Sequence, residues 1–125
     1  MILDTNAVSG ILAGDAALES LLSRAARHHL PIIVVGEYRF GLLGSRRRKT
    51  LEPLFERLMR ESVLLDVDEA TATRYAAIRH ELKAAGRPIP ENDVWIAALA
   101  RQHELEIVSR DPHFDDVPGV QRLGW

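Results

Sequence analysis

The sequence contains no cysteine. That excludes a disulfide framework, a thiolate nucleophile and any zinc site built on sulfur, and it fits a reducing compartment. Long apolar runs are missing too. A run such as Leu30–Gly36 falls far short of the roughly 20 residues that span a bilayer. No cationic stretch followed by an apolar one opens the chain, where Met1-Ile2-Leu3 meets a charge at Asp4. No secretory signal is therefore expected, and the expected location is cytoplasmic. A formal net charge of only -2 does not advertise a nucleic-acid binder, so an RNA partner would be met by a local basic patch or through bound cations. There is no Gly-rich phosphate loop, no serine–histidine–acid pattern, no internal repeat and no low-complexity linker.

What remains is 125 residues, 46% of them hydrophobic, enough for one globular domain with a substantial core and too few for two. Short apolar runs alternate with helical patterns. The runs are Met1–Leu3, Ile32–Val35, Val63–Val67, Glu106–Val108 and, more weakly, Val120–Leu123. Between them, Asp15 caps a helix expected to reach Arg27, and Tyr38, Leu42 and Leu43 share one face. Leu51, Leu54, Phe55 and Leu58 repeat with helical spacing. Asp68 starts a helix that Gly86 stops, and a further helix begins near Glu91 or Asn92, after Pro88 and Pro90. Such alternation predicts a three-layer α/β/α domain around a central parallel sheet.

Four acids draw attention within that scheme. Asp4, Glu37 and Asp111 each follow an expected strand, at the carboxyl edge where open α/β sheets bind ligands. Asp93 lies in the first turn of a helix, on the face shared by Ile96, Ala97 and Ala100. Each acid taken alone is more often a turn former, cap or solvated helix-start residue; the functional reading rests on their coincidence at one edge. Ionised carboxylates gathered there repel: at an effective dielectric of about 20, two charges about 4 Å apart oppose one another by roughly 4 kcal/mol. Protons or a hard divalent cation relieve this, and all-oxygen ligands suit Mg2+ or Mn2+.

The same residues carry a family resemblance. Ile2-Leu3-Asp4-Thr5-Asn6, then Gly36-Glu37-Tyr38-Arg39-Phe40-Gly41-Leu42, then Pro90-Glu91-Asn92-Asp93-Val94-Trp95-Ile96-Ala97-Ala98, and finally Ser109-Arg110-Asp111-Pro112-His113-Phe114 resemble, in order, the four motifs of PIN-domain ribonucleases, in particular the VapC-type toxins of toxin–antitoxin pairs. Each motif alone is weak; all four, at suitable separations from Asp4 to about Gly119, are a strong signal. The resemblance implies RNA hydrolysis by a metal-activated water, leaving a 5′-phosphate. It implies Asp4 and Asp93 as direct metal ligands, with Glu37 and Asp111 completing the site through water or a second metal. Asn6 and Asn92 would orient carboxylates or contact phosphate. Ser109 stands where the family usually has threonine, and its hydroxyl can still donate to Asp4. Asp115 is an alternative to Asp111. The resemblance also implies an antitoxin partner and a homodimer.

Other features divide between plain and functional readings. The basic run Arg46-Arg47-Arg48-Lys49 reads as a solvated helix start, or else as an RNA or antitoxin contact. The five histidines, His28, His29, His80, His103 and His113, show no ligand spacing and are expected at the surface or in packing. Trp95 is expected to pack and Trp125 to fray. The apolar helices Tyr38–Leu43 and Leu51–Met59 read as core, or as a groove for an antitoxin helix whose arginine would pair with the carboxylates. Two competing functions remain: a receiver-like Mg2+-binding signalling domain with Asp66 as phosphoacceptor, and a PIN domain that binds RNA or a partner without cutting.

Overall fold

The structure is a computed structural model describing residues 1–125. Its elements are β1 (Ile2–Leu3), α1 (Thr5–Leu12), α2 (Ala16–Leu22), β2 (His29–Pro31), α3 (Ile32–Leu43), α4 (Arg48–Glu61), β3 (Val63–Leu65), α5 (Glu69–Ala84), α6 (Glu91–His103), β4 (Ile107–Val108), a 3₁₀ turn over Pro112–Asp116 and β5 (Arg122–Leu123). All strand pairings are parallel, in the order β3-β2-β1-β4-β5. Helices flank this sheet in three α/β/α layers. Helices α1 to α4 pack among themselves and α5 lies along α6. No helix is long and apolar enough to cross a membrane.

Parallel strands require crossovers, and these bury both sheet faces. Ile2, Leu3, Leu30, Ile107 and Val108 are accordingly fully buried, within one continuous core of 26 apolar residues. The chain steps outward from β1 to β2 and β3. It then returns through α5 and α6 to the other side of β1 for β4 and β5. The order reverses between β1 and β4, and a crevice opens at that point beyond the strands' carboxyl ends. Asp4 follows β1 there, and Ser109 to Asp111 follow β4.

Local chemistry sets most boundaries. The Asp15 carboxylate accepts from the Leu18 N–H at 3.1 Å, and α2 stops at Leu22 instead of reaching Arg27. Asp68 and Thr71 form a reciprocal cap on α5. Gly86 takes φ +68° just past its end, a conformation glycine adopts without a Cβ clash.

One expected strand is corrected. Ile32–Val35 is the first turn of α3, and β2 is the preceding His29–Pro31. Pro31, at φ -62°, lacks an N–H for a sheet ladder and suits the entry to a helix. The buried set Val34, Val35, Tyr38 and Leu42 follows helical spacing, while Ile32 is 41% exposed. The edge strand β3 ends at Leu65, short of the expected Val67, which is 37% exposed.

Candidate active site

Asp4 ends β1 and caps α1, so its side chain turns into the crevice. It is 5% exposed. One carboxylate oxygen accepts from the Thr5 N–H at 2.8 Å. The other accepts from the Ser109 hydroxyl at 2.7 Å and from the Asn6 amide at 3.3 Å. Ser109 is fully buried, and its Oγ also accepts from Asn6 Nδ2 at 3.2 Å and from the Asp111 N–H at 2.9 Å. Asn6 Oδ1 accepts from the Arg110 N–H at 3.1 Å. Asn6 and Ser109 thus tie the ends of β1 and β4 together around the Asp4 carboxylate.

Asp111 caps the 3₁₀ turn, accepting from the His113 N–H at 2.9 Å. Asp93, third residue of α6, is held by its N–H donating to Pro90 O at 3.0 Å. Its side chain is 13% exposed. Glu37 enters from the second turn of α3. Its Oε1 is buried without a hydrogen-bond partner, as is the Thr5 hydroxyl. Both residues line a side pocket of about 280 Å³ with Ser9, Tyr38 and Ser45.

The electrostatics are those of acids without a lysine or arginine partner, His113 being the one basic group against them. Burial pushes the Asp4 carboxyl up from its ordinary value, opposed by the Ser109 and Thr5 donors and reinforced by Asp111. Burial raises Glu37, with the charges of Asp4 and Asp93 adding to it. Asp93 is raised to about 6, by burial first, then by Asp4, against the hydrogen bond from His113. No lysine or arginine pairs with any of the four acids; the nearby cations are spent elsewhere, Arg110 on Asp15 and Arg122 on Asp115. The donor set fits a divalent cation. Three donors, from Asp93, Asp111 and His113, lie within 4.8 Å of one another, and Glu37, whose nearest polar side chain is the Thr5 hydroxyl, feels the charges of Asp4 and Asp93 from beside them. Asp4 borders this group without belonging to it.

The chain therefore brings Asp4, Glu37, Asp93, Asp111, Asn6 and Ser109 to one crevice. Asn92 is exposed at the head of α6 and makes no side-chain hydrogen bond. Asp115 is no substitute for Asp111: Arg122 holds both its oxygens at 2.9 Å. Arg46, Arg47, Arg48 and Lys49 are exposed at the α3–α4 corner, next to Ser45 on the pocket rim. Only Arg48 is paired, with Glu52 at 2.9 Å. Asp66 lies beyond the edge strand β3, with β2 between it and Asp4, which removes the geometric basis of a receiver site. His113 lies at the surface, one of the two places expected for it, with its side chain 46% exposed, but its place beside the acids is what sequence reasoning missed. Its Nδ1 approaches Asp111 Oδ1 at 2.9 Å and Asp93 Oδ2 at 3.3 Å. The available signal was its place two residues after Asp111. Trp125 is docked, not frayed: its indole N–H donates to Asp15 at 3.1 Å and its ring lies 4.5 Å from the Arg110 guanidinium. Trp95 stacks on Tyr75, ring centroids 3.9 Å apart.

Comparison with known proteins agrees with this geometry. The family model described as PIN domain matches residues 1–120. The toxin FitB of Neisseria gonorrhoeae is 36% identical over 124 residues, covering 89% of this chain and 87% of that protein. Ribonuclease VapC4 of Mycobacterium tuberculosis is 31% identical over 97 residues, covering 72% and 71%. Among solved structures, VapBC-5 of Mycobacterium tuberculosis, a member of the VapBC family of toxin–antitoxin systems, superposes with a TM-score of 0.80 at 26% identity, covering 99% of this chain and 97% of that one. The chain belongs to the PIN-domain family, on the branch of VapC-type toxins.

Proposed function

We propose that this chain is a metal-dependent endoribonuclease and the toxin of a toxin–antitoxin pair. The observation that carries the reading is the convergence of Asp4, Glu37, Asp93 and Asp111 in one crevice with no lysine or arginine paired to them, His113 being the one basic side chain in contact. Relatives named as ribonucleases and as a toxin supply the substrate class. Asp93 and Asp111, in the donor cluster, and Asp4 beside it would hold a divalent ion, Mg2+ or Mn2+, with Glu37 completing its surroundings. When bound, such an ion stabilises charge on a phosphate and lowers the pKa of a water.

The protein's own groups do the rest. Ser109, Asn6 and the Thr5 N–H fix the orientation of Asp4 and favour its ionised form. Arg46, Arg47 and Lys49, unpaired at the rim, attract the RNA backbone that the overall charge of -2 does not. The antitoxin binds the apolar surface of α3 and α4. Phe40 is 80% exposed there, Leu43 65% and Leu54 41%, more than a domain surface leaves uncovered without reason. This matches the partnership of its structural relative.

The test is cleavage of total RNA with Mg2+ or Mn2+, followed by mapping of the ends. Wild type should cut and leave 5′-phosphates, while EDTA or Asp4→Asn should abolish cutting with the fold intact by circular dichroism. Cutting that persists in EDTA or in the folded variant refutes the assignment.

A further inference from the structure

Resting on that reading, we propose that His113 supplies a nitrogen ligand to the bound ion, and that this donor makes the site prefer Mn2+ over Mg2+. An octahedral ion about 2.1 Å from its ligands separates neighbouring ligands by roughly 3 Å. His113 Nδ1 lies 2.9 Å from Asp111 Oδ1 and 3.3 Å from Asp93 Oδ2, which are the spacings of adjacent corners around one centre. All three donors stand within 4.8 Å of one another.

The ring is placed by its backbone. Asp111 caps the turn and holds the His113 N–H at 2.9 Å. Pro112 precedes the histidine, and the fully buried Phe114 anchors the other side. The imidazole therefore turns its Nδ1 edge to the acids, and the tautomer protonated at Nε2 presents a lone pair to them. The same nitrogen lies within hydrogen-bond distance of Asp93 Oδ2, at 3.3 Å. Magnesium takes oxygen ligands and gives up water reluctantly, whereas imidazole suits transition ions. One nitrogen among carboxylates shifts selectivity accordingly.

The experiment loads the protein with one equivalent of Mn2+ and reads pulsed electron paramagnetic resonance for 14N modulation. Wild type should show imidazole nitrogen coupled to manganese. His113→Ala, and His113→Gln as a guard against misfolding, should still bind Mn2+ without that coupling. By calorimetry the Mn2+ Kd should rise about tenfold or more, with a far smaller change for Mg2+. Bound Mn2+ without nitrogen coupling in wild type, coupling that survives in a folded His113 variant, or equal losses for the two ions would each overturn this proposal while leaving the carboxylate site standing. If neither ion binds wild type, or if Asp93→Asn binds as well as wild type, the parent reading falls with it.

Discussion

Ser109 lets the chemistry of a single hydroxyl be isolated. It sits at no exposure, donates to Asp4 at 2.7 Å and accepts from two N–H groups. Removing it leaves the Asp4 carboxylate without a donor that lowers its pKa. Ser109→Ala should therefore weaken ion binding by about 10- to 100-fold, the usual range for outer partners of metal ligands. Ser109→Thr keeps the hydroxyl and should retain most affinity. Calorimetry on both variants decides: equal losses would mean that volume, not hydrogen bonding, matters at this position. Asp93 gives a second prediction at this scale. Its folded pKa, raised from 3.8 to about 6, means that the metal-free folded state binds more protons than the unfolded state between those values. Stability is then fully present below about 4 and is lost as pH rises through 6. Relative to Asp93→Asn, the metal-free protein should lose Tm between pH 5 and pH 7; the comparison cancels His29, whose pKa burial lowers and which acts in the opposite sense in this window. Added Mn2+ should raise Tm more at pH 7 than at pH 5, because the ion needs the ionised carboxylate. A difference between wild type and variant that does not change with pH would contradict the burial of this acid.

Helix α3 tests how a segment rich in β-branched residues escapes a strand. As a strand, Ile32 and Val34 would share one face and the core would take both or neither. As a helix, Val34 is fully buried and Ile32 is 41% exposed. Ile32→Ser should thus change stability by no more than about 0.5 kcal/mol, whereas Val34→Ala should cost about 2 kcal/mol through the lost methyls and the cavity they leave. Urea unfolding measures both, and similar costs would argue against the helix. Periodicity announced α4, α5 and α6 because their apolar residues recur over several turns. It could not settle Ile32-Ile33-Val34-Val35, where a continuous apolar run satisfies either period and only Pro31 marks the change. The acids were legible for a related reason. Asp4 directly follows β1 and Asp111 lies in the short loop after β4, so topology delivers them to one crevice. Glu37 reaches the same place from the second turn of α3, whose first turn had been expected as the strand before it. His113 was not legible as a site residue because nothing in spacing tells which way a ring points from a 3₁₀ turn. That direction comes from the Asp111 cap and the burial of Phe114.

At the scale of the whole molecule, the sheet order places negative charge at the switch between β1 and β4, while the exposed Arg46, Arg47 and Lys49 cluster at the α3–α4 corner. The pocket lined by Thr5, Glu37, Tyr38 and Ser45 joins the two regions. A polyanion meeting a chain of net charge -2 gains little from the bulk field, so its affinity must come from the corner and from the bound ion. The two contributions separate by salt. Each phosphate contact to a single strand adds about 0.7 to the steepness with which log K falls against log salt. Replacing Arg46 and Arg47 together by glutamine should therefore flatten that slope by about 1.4 if each holds one phosphate, and weaken RNA binding most at low salt. The rise in Tm caused by Mn2+ should not change, since neither arginine pairs with an acid of the crevice. RNA binding is best followed with Asp4→Asn as the background, so that substrate survives the titration. An unaltered slope would remove the corner from the RNA path and leave the antitoxin as its only remaining client.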